Sequence, residues 1–323
     1  MMKKKTNLCL AVDNFNKEQI LKILESAKDS ICALKLHCDT IDGWDDEFSA
    51  QLQKISNENN FLIFEDRKLA DTGNTMILQL EKGLKIAKWA DVVTAYPFPG
   101  AKTFESLRKE ILESAKDFIC VLKLHCDTID GWDDEFSAQL QKISNENNFL
   151  IFEDRKLADT GNTMILQLEK GLKIAKWADV VTAYPFPGAK TFESLRKEII
   201  ESPNYKLSGI LLLAELSTEG SKMDANLSVE LAEKLGNNLI SGFICQKRCS
   251  ENMGFMYWTP GVSLNKSTDG KGQKWRGPEQ AILNDGCDII IVGRGITEAE
   301  NIEEEIKIYR EIAWKAYIGE EEK

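Results

Sequence analysis

Residues 23–110 of this chain return as residues 111–198 with only two changes, Ser30 against Phe118 and Ala33 against Val121. A repeat this long and this faithful is not a solenoid, whose units are short, divergent and numerous. Its effect on folding is of another kind. Two stretches of the same sequence have the same local preferences, so any place in the fold that suits one copy suits the other. Removing one 88-residue copy leaves 235 residues, close to the ~250 residues of a single barrel of eight strand–helix units. The arithmetic predicts one barrel domain over 1–323, in which copy one (23–110) and copy two (111–198) compete for three units and one copy is a surplus insertion.

Short runs rich in Val, Ile and Leu alternate with longer amphipathic stretches, the pattern of a parallel sheet with crossover helices. Strands are predicted at Leu8–Val12, Ile31–Leu36, Phe61–Phe64, Asp91–Ala95, Gly209–Ala214, Leu239–Ile244, Tyr257–Thr259 and Asp288–Val292. Copy two adds Ile119–Leu124, Phe149–Phe152 and Asp179–Ala183. Apolar residues at three- and four-residue spacing predict a helix over Met76–Ala90. Such a pattern fits a closed barrel or a doubly wound sheet equally well. The strand ends favour the barrel. Asp13, Lys35 with His37, Glu65–Asp66, Glu215, Gln246, Thr259 and Arg294 all fall at carboxyl ends, the rim where barrel enzymes gather their reactive groups. Eleven strands in one barrel are disfavoured, because strand number, tilt and shear are coupled.

The net charge of −11 argues against a nucleic-acid or membrane-surface partner, which needs a basic face. An anionic ligand must therefore be met by a few local Lys and Arg residues. No apolar run approaches the ~18–20 residues of a membrane span, and the short apolar stretch after Met1–Lys5 reads as a strand, not a secretory signal. The eight cysteines include no C-x-x-C pair and read as reduced thiols of a cytoplasmic protein, without a zinc site. No other metal or cofactor motif is visible.

The segment FEDRKLADTGNT (Phe64–Thr75) sets Asp66, Lys68 and Asp71 in a D-x-K-x-x-D spacing directly after a strand. Lys35 on the neighbouring strand extends this to an alternating Lys–Asp–Lys–Asp cluster, and copy two repeats it as Lys123, Asp154, Lys156 and Asp159. An isolated charge run of this kind is most often a solvated turn. Its context changes the reading: LCLAVD (Leu8–Asp13), LKLHCD (Leu34–Asp39), AELSTEGS (Ala214–Ser221), WTPGVSL (Trp258–Leu264), KGQKW (Lys271–Trp275) and DIIIVGRGI (Asp288–Ile296) accompany it. With these motifs the chain resembles the orotidine 5′-monophosphate decarboxylase family, eukaryotic type, from Leu8 to Tyr317.

That resemblance implies an α/β (β/α)8 TIM barrel, here with a surplus duplicated three-unit βα segment. It also implies a carboxy-lyase of de novo pyrimidine biosynthesis that converts orotidine 5′-monophosphate (OMP) to UMP without a cofactor or metal. Lys68 would protonate the carbanion left at pyrimidine C6, with Asp66 and Asp71 flanking the departing carboxylate and Lys35 holding the aspartates. Asp13 and Lys35 would contact the ribose hydroxyls, with His37 in support, and Ser217 would read the ring amide. Gln273, Gly293 and Arg294 would clamp the phosphate, and Pro260 and Trp275 complete the substrate-binding set. Trp275 stands where relatives carry Tyr, and an indole N–H donates a hydrogen bond but accepts none. The residues matching Asp71 and Thr75 reach into a partner subunit in this family, which implies a homodimer. Copy two offers Lys123, His125, Asp154, Lys156, Asp159 and Thr163 in the same contexts. A sugar-phosphate decarboxylase of the same superfamily shares D-x-K-x-x-D, but Ser217 and KGQKW point to the pyrimidine nucleotide. The chain carries no phosphoribosyltransferase stretch, so a single activity is expected.

Three arrangements of the copies follow. Copy one completes the barrel, or copy two does, or chains exchange segments into swapped oligomers. Copy two is favoured, since Phe118 and Val121 add apolar volume near the second strand where copy one has Ser30 and Ala33. A catalytically impaired scaffold is the alternative if the surplus copy disturbs the rim.

Overall fold

The computed structural model describes residues 6, 8–13, 15–69, 79–95, 119–129, 132–218, 220–264, 275–297 and 299–319. Its strands are β1 (Cys9–Ala11), β2 (Ala33–Leu36), β3 (Leu62–Leu69), β4 (Val92–Ala95), β5 (Val121–Leu124), β6 (Leu150–Leu157), β7 (Val180–Ala183), β8 (Gly209–Leu213), β9 (Ile240–Ile244), β10 (Met256–Pro260) and β11 (Ile289–Ile291). Each falls on a run predicted from the sequence, and every strand pairing is parallel. They form two sheets, β1-β2-β3-β4 and β5-β6-β7-β8-β9-β10-β11. Copy two supplies the first three strands of the larger sheet. Copy one, with β1, forms the smaller.

The seven-stranded sheet curls on itself. Phe152 on β6 and Trp258 on β10 meet edge to face with ring centroids 5.5 Å apart, whereas four strand spacings of a flat sheet would part them by roughly 19 Å. Every strand contributes to this interior cluster: Val121, Phe152, Val180, Leu211 with Leu213, Ile244, Trp258 and Ile289 with Ile291. The alternate positions Ile151, Val181, Ile210, Leu212, Phe243 and Tyr257 point the other way, into an outer core shared with helices at Gly161–Glu169, Ala189–Leu195 and Ala225–Leu235. Strands apolar on both faces, one face inward and one under helices, make this an α/β fold of the TIM-barrel class.

The four-stranded sheet is covered on one face. Leu34, Leu36 and Ile63 pack with Ile20 and Leu24 of the helix Lys17–Ala27 and with Phe48 and Leu52 of the helix Asp46–Asn59. Asn16 and Gln19 form a reciprocal capping box at the first helix, and Asp45 caps the second by accepting from the Phe48 N–H. Each cap satisfies amide groups that a helix start leaves without partners. β1 pairs with β2 in register Leu10 to Leu34, so the strand expected to open the barrel lies beside copy one.

Two local expectations change. β3 and β6 continue through the charged motif to Leu69 and Leu157, where the apolar pattern ends at Phe64 and Phe152. The helix pattern at Met76–Ala90 lies partly outside the described residues. In copy two the same letters form two pieces, Gly161–Glu169 and Ile174–Trp177, separated by Gly171 and Lys173 at φ 52° and 49°. The cause is packing. Gly171 lies so close to the Asp39 backbone carbonyl of copy one that no Cβ fits between them.

The copies meet through matched groups. Arg67 pairs with Asp127, and Arg155 pairs with Asp39, all four buried. Gln79 Nε2 donates to the Asp127 carboxylate at 3.3 Å. Gly83 lies against the Asp127 carbonyl as Gly171 lies against that of Asp39. A guanidinium at this depth is tolerable only with a carboxylate beside it. No helix among the described residues is long and apolar enough to cross a membrane.

Candidate active site

In copy two, β5 carries Lys123 one residue before its end, and β6 carries Asp154 and Lys156. The Lys123 and Lys156 ammoniums lie 2.8 Å and 2.7 Å from the same Asp154 oxygen, Oδ2. A backbone irregularity makes this possible. The β6–β7 register shifts between Glu153 and Leu157, and Lys156 sits at φ 52°. An extra residue in one strand re-aims the side chains around it, and bulges recur beside active sites for that reason. A left-handed lysine costs on the order of 1–2 kcal/mol, so something must hold it. Thr182 on β7 does so. Its hydroxyl accepts from the Lys156 N–H and donates to Asp154 Oδ1, both at 2.8 Å.

The electrostatics follow from these contacts. Burial alone would raise the Asp154 pKa, but Lys123, Lys156 and then His125 hold it well below the usual carboxylate range. Burial, and next the Lys123 ammonium 3.1 Å from His125 Nε2, push that imidazole well below its ordinary value, leaving it neutral near pH 7. Glu153 is buried and accepts from the Cys126 N–H at 3.0 Å, tying down the turn after Lys123. Burial and neighbouring Asp127 raise its pKa well above the usual range.

Copy one builds a related but different cluster. The Lys35 ammonium lies 2.9 Å from Asp13 and 3.1 Å from Asp66. His37 meets Asp13 through Nδ1 at 3.0 Å, and its Nε2 lies 3.3 Å from Asp159 of copy two. Burial works against the charged imidazole, yet the Asp13 and Asp159 contacts raise the His37 pKa above its ordinary value. Asp13 is lowered despite its burial, by His37 and Lys35. Lys35 is likewise raised despite burial, by Asp13 and Asp66. Burial lifts the Glu65 carboxyl to about 7. Among the described residues one group, His37, Asp66 and Asp159, brings three possible metal-ligand atoms within 4.8 Å of one another. With the Lys35 ammonium 3.1 Å from Asp66, the arrangement is that of a hydrogen-bonded ion network.

Ser217, Pro260, Gly293 and Arg294 stand at the carboxyl ends of β8, β10 and β11, on the rim that carries Lys123 and Lys156. Ser217 is buried and lines a hollow with Glu215, Thr218, Met223 and Gln246. The Pro260 carbonyl accepts from Gln246 Nε2 at 3.4 Å. Gly293 leads into the short helix Arg294–Thr297, and the Arg294 guanidinium lies 4.8 Å from the centre of the Trp275 ring, within cation–π range. Thr163 is buried in the helix Gly161–Glu169, its hydroxyl 3.3 Å from that of Thr160. Asp71, Thr75 and Gln273 lie outside the described residues, as does the Lys68 side chain.

Sequence reasoning missed two residues that hold this rim together, Thr182 and Arg276. Thr182 was hidden inside an apolar strand, where a lone buried hydroxyl is the only signal. Arg276 bonds Thr259 Oγ1 at 2.7 Å and Gln246 Oε1 at 2.7 Å, and pairs with Asp285 at 2.6 Å. Its place just after KGQKW was a usable clue. Glu215, expected at this rim from the sequence, accepts from the Gln246 N–H at 2.8 Å.

A parallel α/β barrel with a lysine–carboxylate network buried at its carboxyl rim is an enzyme fold equipped to set an ammonium against developing negative charge. The sequence matches the Orotidine 5'-phosphate decarboxylase / HUMPS family over residues 6–116 and again over 108–309, and the chain belongs to that family. The two matches overlap where copy one passes into copy two. Among relatives, the Uridine 5'-monophosphate synthase of Caenorhabditis elegans is 44% identical over 210 residues, 64% of this chain and 42% of that protein. The Orotidine 5'-phosphate decarboxylase of Phycomyces blakesleeanus is 40% identical over 220 residues, 65% of this chain and 81% of that protein. The chain thus spans less than half of the worm synthase and about four-fifths of the fungal decarboxylase. Orotidine 5'-monophosphate decarboxylase from Sulfolobus solfataricus superposes with a TM-score of 0.48 at 17% identity, covering 66% of this chain and 95% of that one.

Proposed function

We propose that this chain is an orotidine 5′-monophosphate decarboxylase and that the copy-two cluster is its reaction centre. The observation that carries the reading is the Lys156 ammonium, 2.7 Å from a buried Asp154 in the sheet that also bears Ser217, Pro260 and Arg294. When carbon dioxide leaves, the bonding electron pair stays on pyrimidine C6. Lys156 delivers a proton to that carbon and regains one from solvent. A fixed ammonium both stabilises the growing charge and acts as general acid. Asp154 stands beside the departing carboxylate, Lys123 and Asp159 complete the charge network, and Ser217 reads the ring amide. Gly293, Arg294 and Gln273, with Trp275 and Pro260 alongside, bind the phosphate end, and that remote binding energy holds the ring in place for reaction. The copy-one cluster of Lys35 and Asp66 lies in a sheet that holds neither Ser217 nor Arg294, which supports a non-catalytic role for it.

One observation favours a second reading, an impaired scaffold. Asp13, assigned by family resemblance to the ribose hydroxyls, is held by Lys35 and His37 of copy one. The physiological reading is UMP formation in the cytoplasm, in a homodimer or segment-swapped oligomer or with the cis arrangement argued below.

Purified full-length chain mixed with OMP, followed by the fall in ultraviolet absorbance, tests both readings. Steady turnover to UMP supports the enzyme. A folded chain that binds UMP without turning OMP over supports the scaffold, and one that does neither overturns the assignment.

A further inference from the structure

The inter-copy contacts repeat themselves. Arg67 of copy one meets Asp127 of copy two, and Arg155 of copy two meets Asp39 of copy one. An offset of 88 relates Arg67 to Arg155 and Asp39 to Asp127, so one residue pair is used twice with the copies exchanged. The backbone does the same, since Gly83 lies on the Asp127 carbonyl and Gly171 on that of Asp39. A surface on which residue i meets j while j meets i is isologous, the property of a two-fold contact between identical subunits. Here both halves belong to one chain.

We infer that copy one is a built-in partner. It docks on copy two across a pseudo-two-fold contact in cis, and Asp159 of copy two completes the copy-one cluster of Asp13, Lys35, His37 and Asp66. The self-complementary surface is occupied within each molecule, so the chain is a monomer. Three observations favour cis pairing with a second copy of the same segment. The contact is charge-complementary in both directions, and its four ionic side chains are at most 4% exposed. Asp42 adds a rim contact, accepting from the Gly171 N–H at 3.1 Å and lying 3.5 Å from the Lys170 ammonium. The copies are also covalently joined, which for short linkers gives an effective concentration on the order of millimolar, well above that of a second chain at micromolar protein. None of this depends on which reaction the barrel performs.

The test has a mass arm and a coupling arm. Light scattering of the full chain across a hundredfold dilution should give the 36.5 kDa of one chain throughout. A concentration-dependent mass about twice that overturns cis docking. Arg67→Asp sets two acids face to face and should lower the thermal midpoint by several degrees, and adding Asp127→Arg in the same chain should recover most of the loss. Recovery on mixing Arg67→Asp chains with Asp127→Arg chains instead means that the contact forms between molecules. Independent, additive effects of the two changes overturn the contact itself. Should the charge-reversed chains not fold, Asp159→Asn provides the readout. It should bring the His37 imidazole titration down toward the ordinary value, and an unmoved His37 overturns the inference.

Discussion

His37 and His125 stand at the same position of the two copies, and their surroundings drive their imidazoles in opposite directions. His37 lies between Asp13 at 3.0 Å and Asp159 at 3.3 Å, which raise its pKa against the effect of burial. His125 is buried beside the Lys123 ammonium at 3.1 Å, and both effects lower it. Identical letters with opposite chemistry are a direct consequence of which groups the tertiary fold brings up.

These are the chain's two histidines, so imidazole proton resonances give one titration per copy. One midpoint should lie above the ordinary ~6.5 and the other below it. The stability consequences have opposite signs. The contribution of His37 is complete below its unfolded pKa and is lost as pH rises through its raised folded value. That of His125 is present above its unfolded pKa and is lost as pH falls through its depressed folded value. Two coincident titrations would contradict the distinction between the clusters.

Lys156→Ala should remove turnover, and Lys68→Ala should leave most of it. Loss of a positioned general acid lowers the rate by roughly 10²–10⁴-fold, and here the ammonium also stabilises charge, so the larger figure is expected. Initial rates with OMP measure this. The reverse result would move the chemistry to copy one.

Thr182→Val should weaken both stability and turnover. It leaves the buried Lys156 N–H without its acceptor and Asp154 Oδ1 without its donor, at a cost of about 1–3 kcal/mol for each buried group left unsatisfied. Thr182→Ser keeps the hydroxyl and should keep most of the rate. Thermal midpoints and kcat for the two variants check this, and equal behaviour would show that the hydroxyl is not what holds Lys156.

Gly171→Ala should destabilise more than Gly236→Ala. Both glycines have positive φ, 52° and 80°, which costs a side chain about 1 kcal/mol. Only Gly171 also faces a backbone carbonyl with no room for a Cβ, while Gly236 has open space. Midpoints that fall equally would mean that the copies are not in contact at Asp39.

Most of the elements were legible because their signal is local. Apolar runs such as Gly209–Leu213 and Ile240–Ile244 are strands in any parallel α/β sheet. The rim positions of Asp154 and Lys156 were legible because a motif fixes their spacing along one chain segment, and that of Lys123 because it falls near the end of a neighbouring predicted strand. The bulge at Lys156 was not, since it depends on a hydroxyl 26 residues away on another strand. The break at Gly171 was not either. The Met164–Ala178 pattern favours one helix, and the carbonyl that interrupts it belongs to the other copy.

By itself the sequence determined eleven strands, a parallel arrangement and two equivalent charge clusters, because these follow from periodicity and from motifs read along the chain. It could not decide which copy joins β8–β11, since 86 of the 88 paired positions are identical and leave little local energy to choose by. Tertiary structure decided that. β1 pairs with β2, copy two pairs with β8, and the docking of one copy on the other sets Asp13 and Asp159 around His37 while Lys123 faces His125. Long-range packing and charge pairing separate the two copies, because only contacts between distant segments differ where the letters are the same.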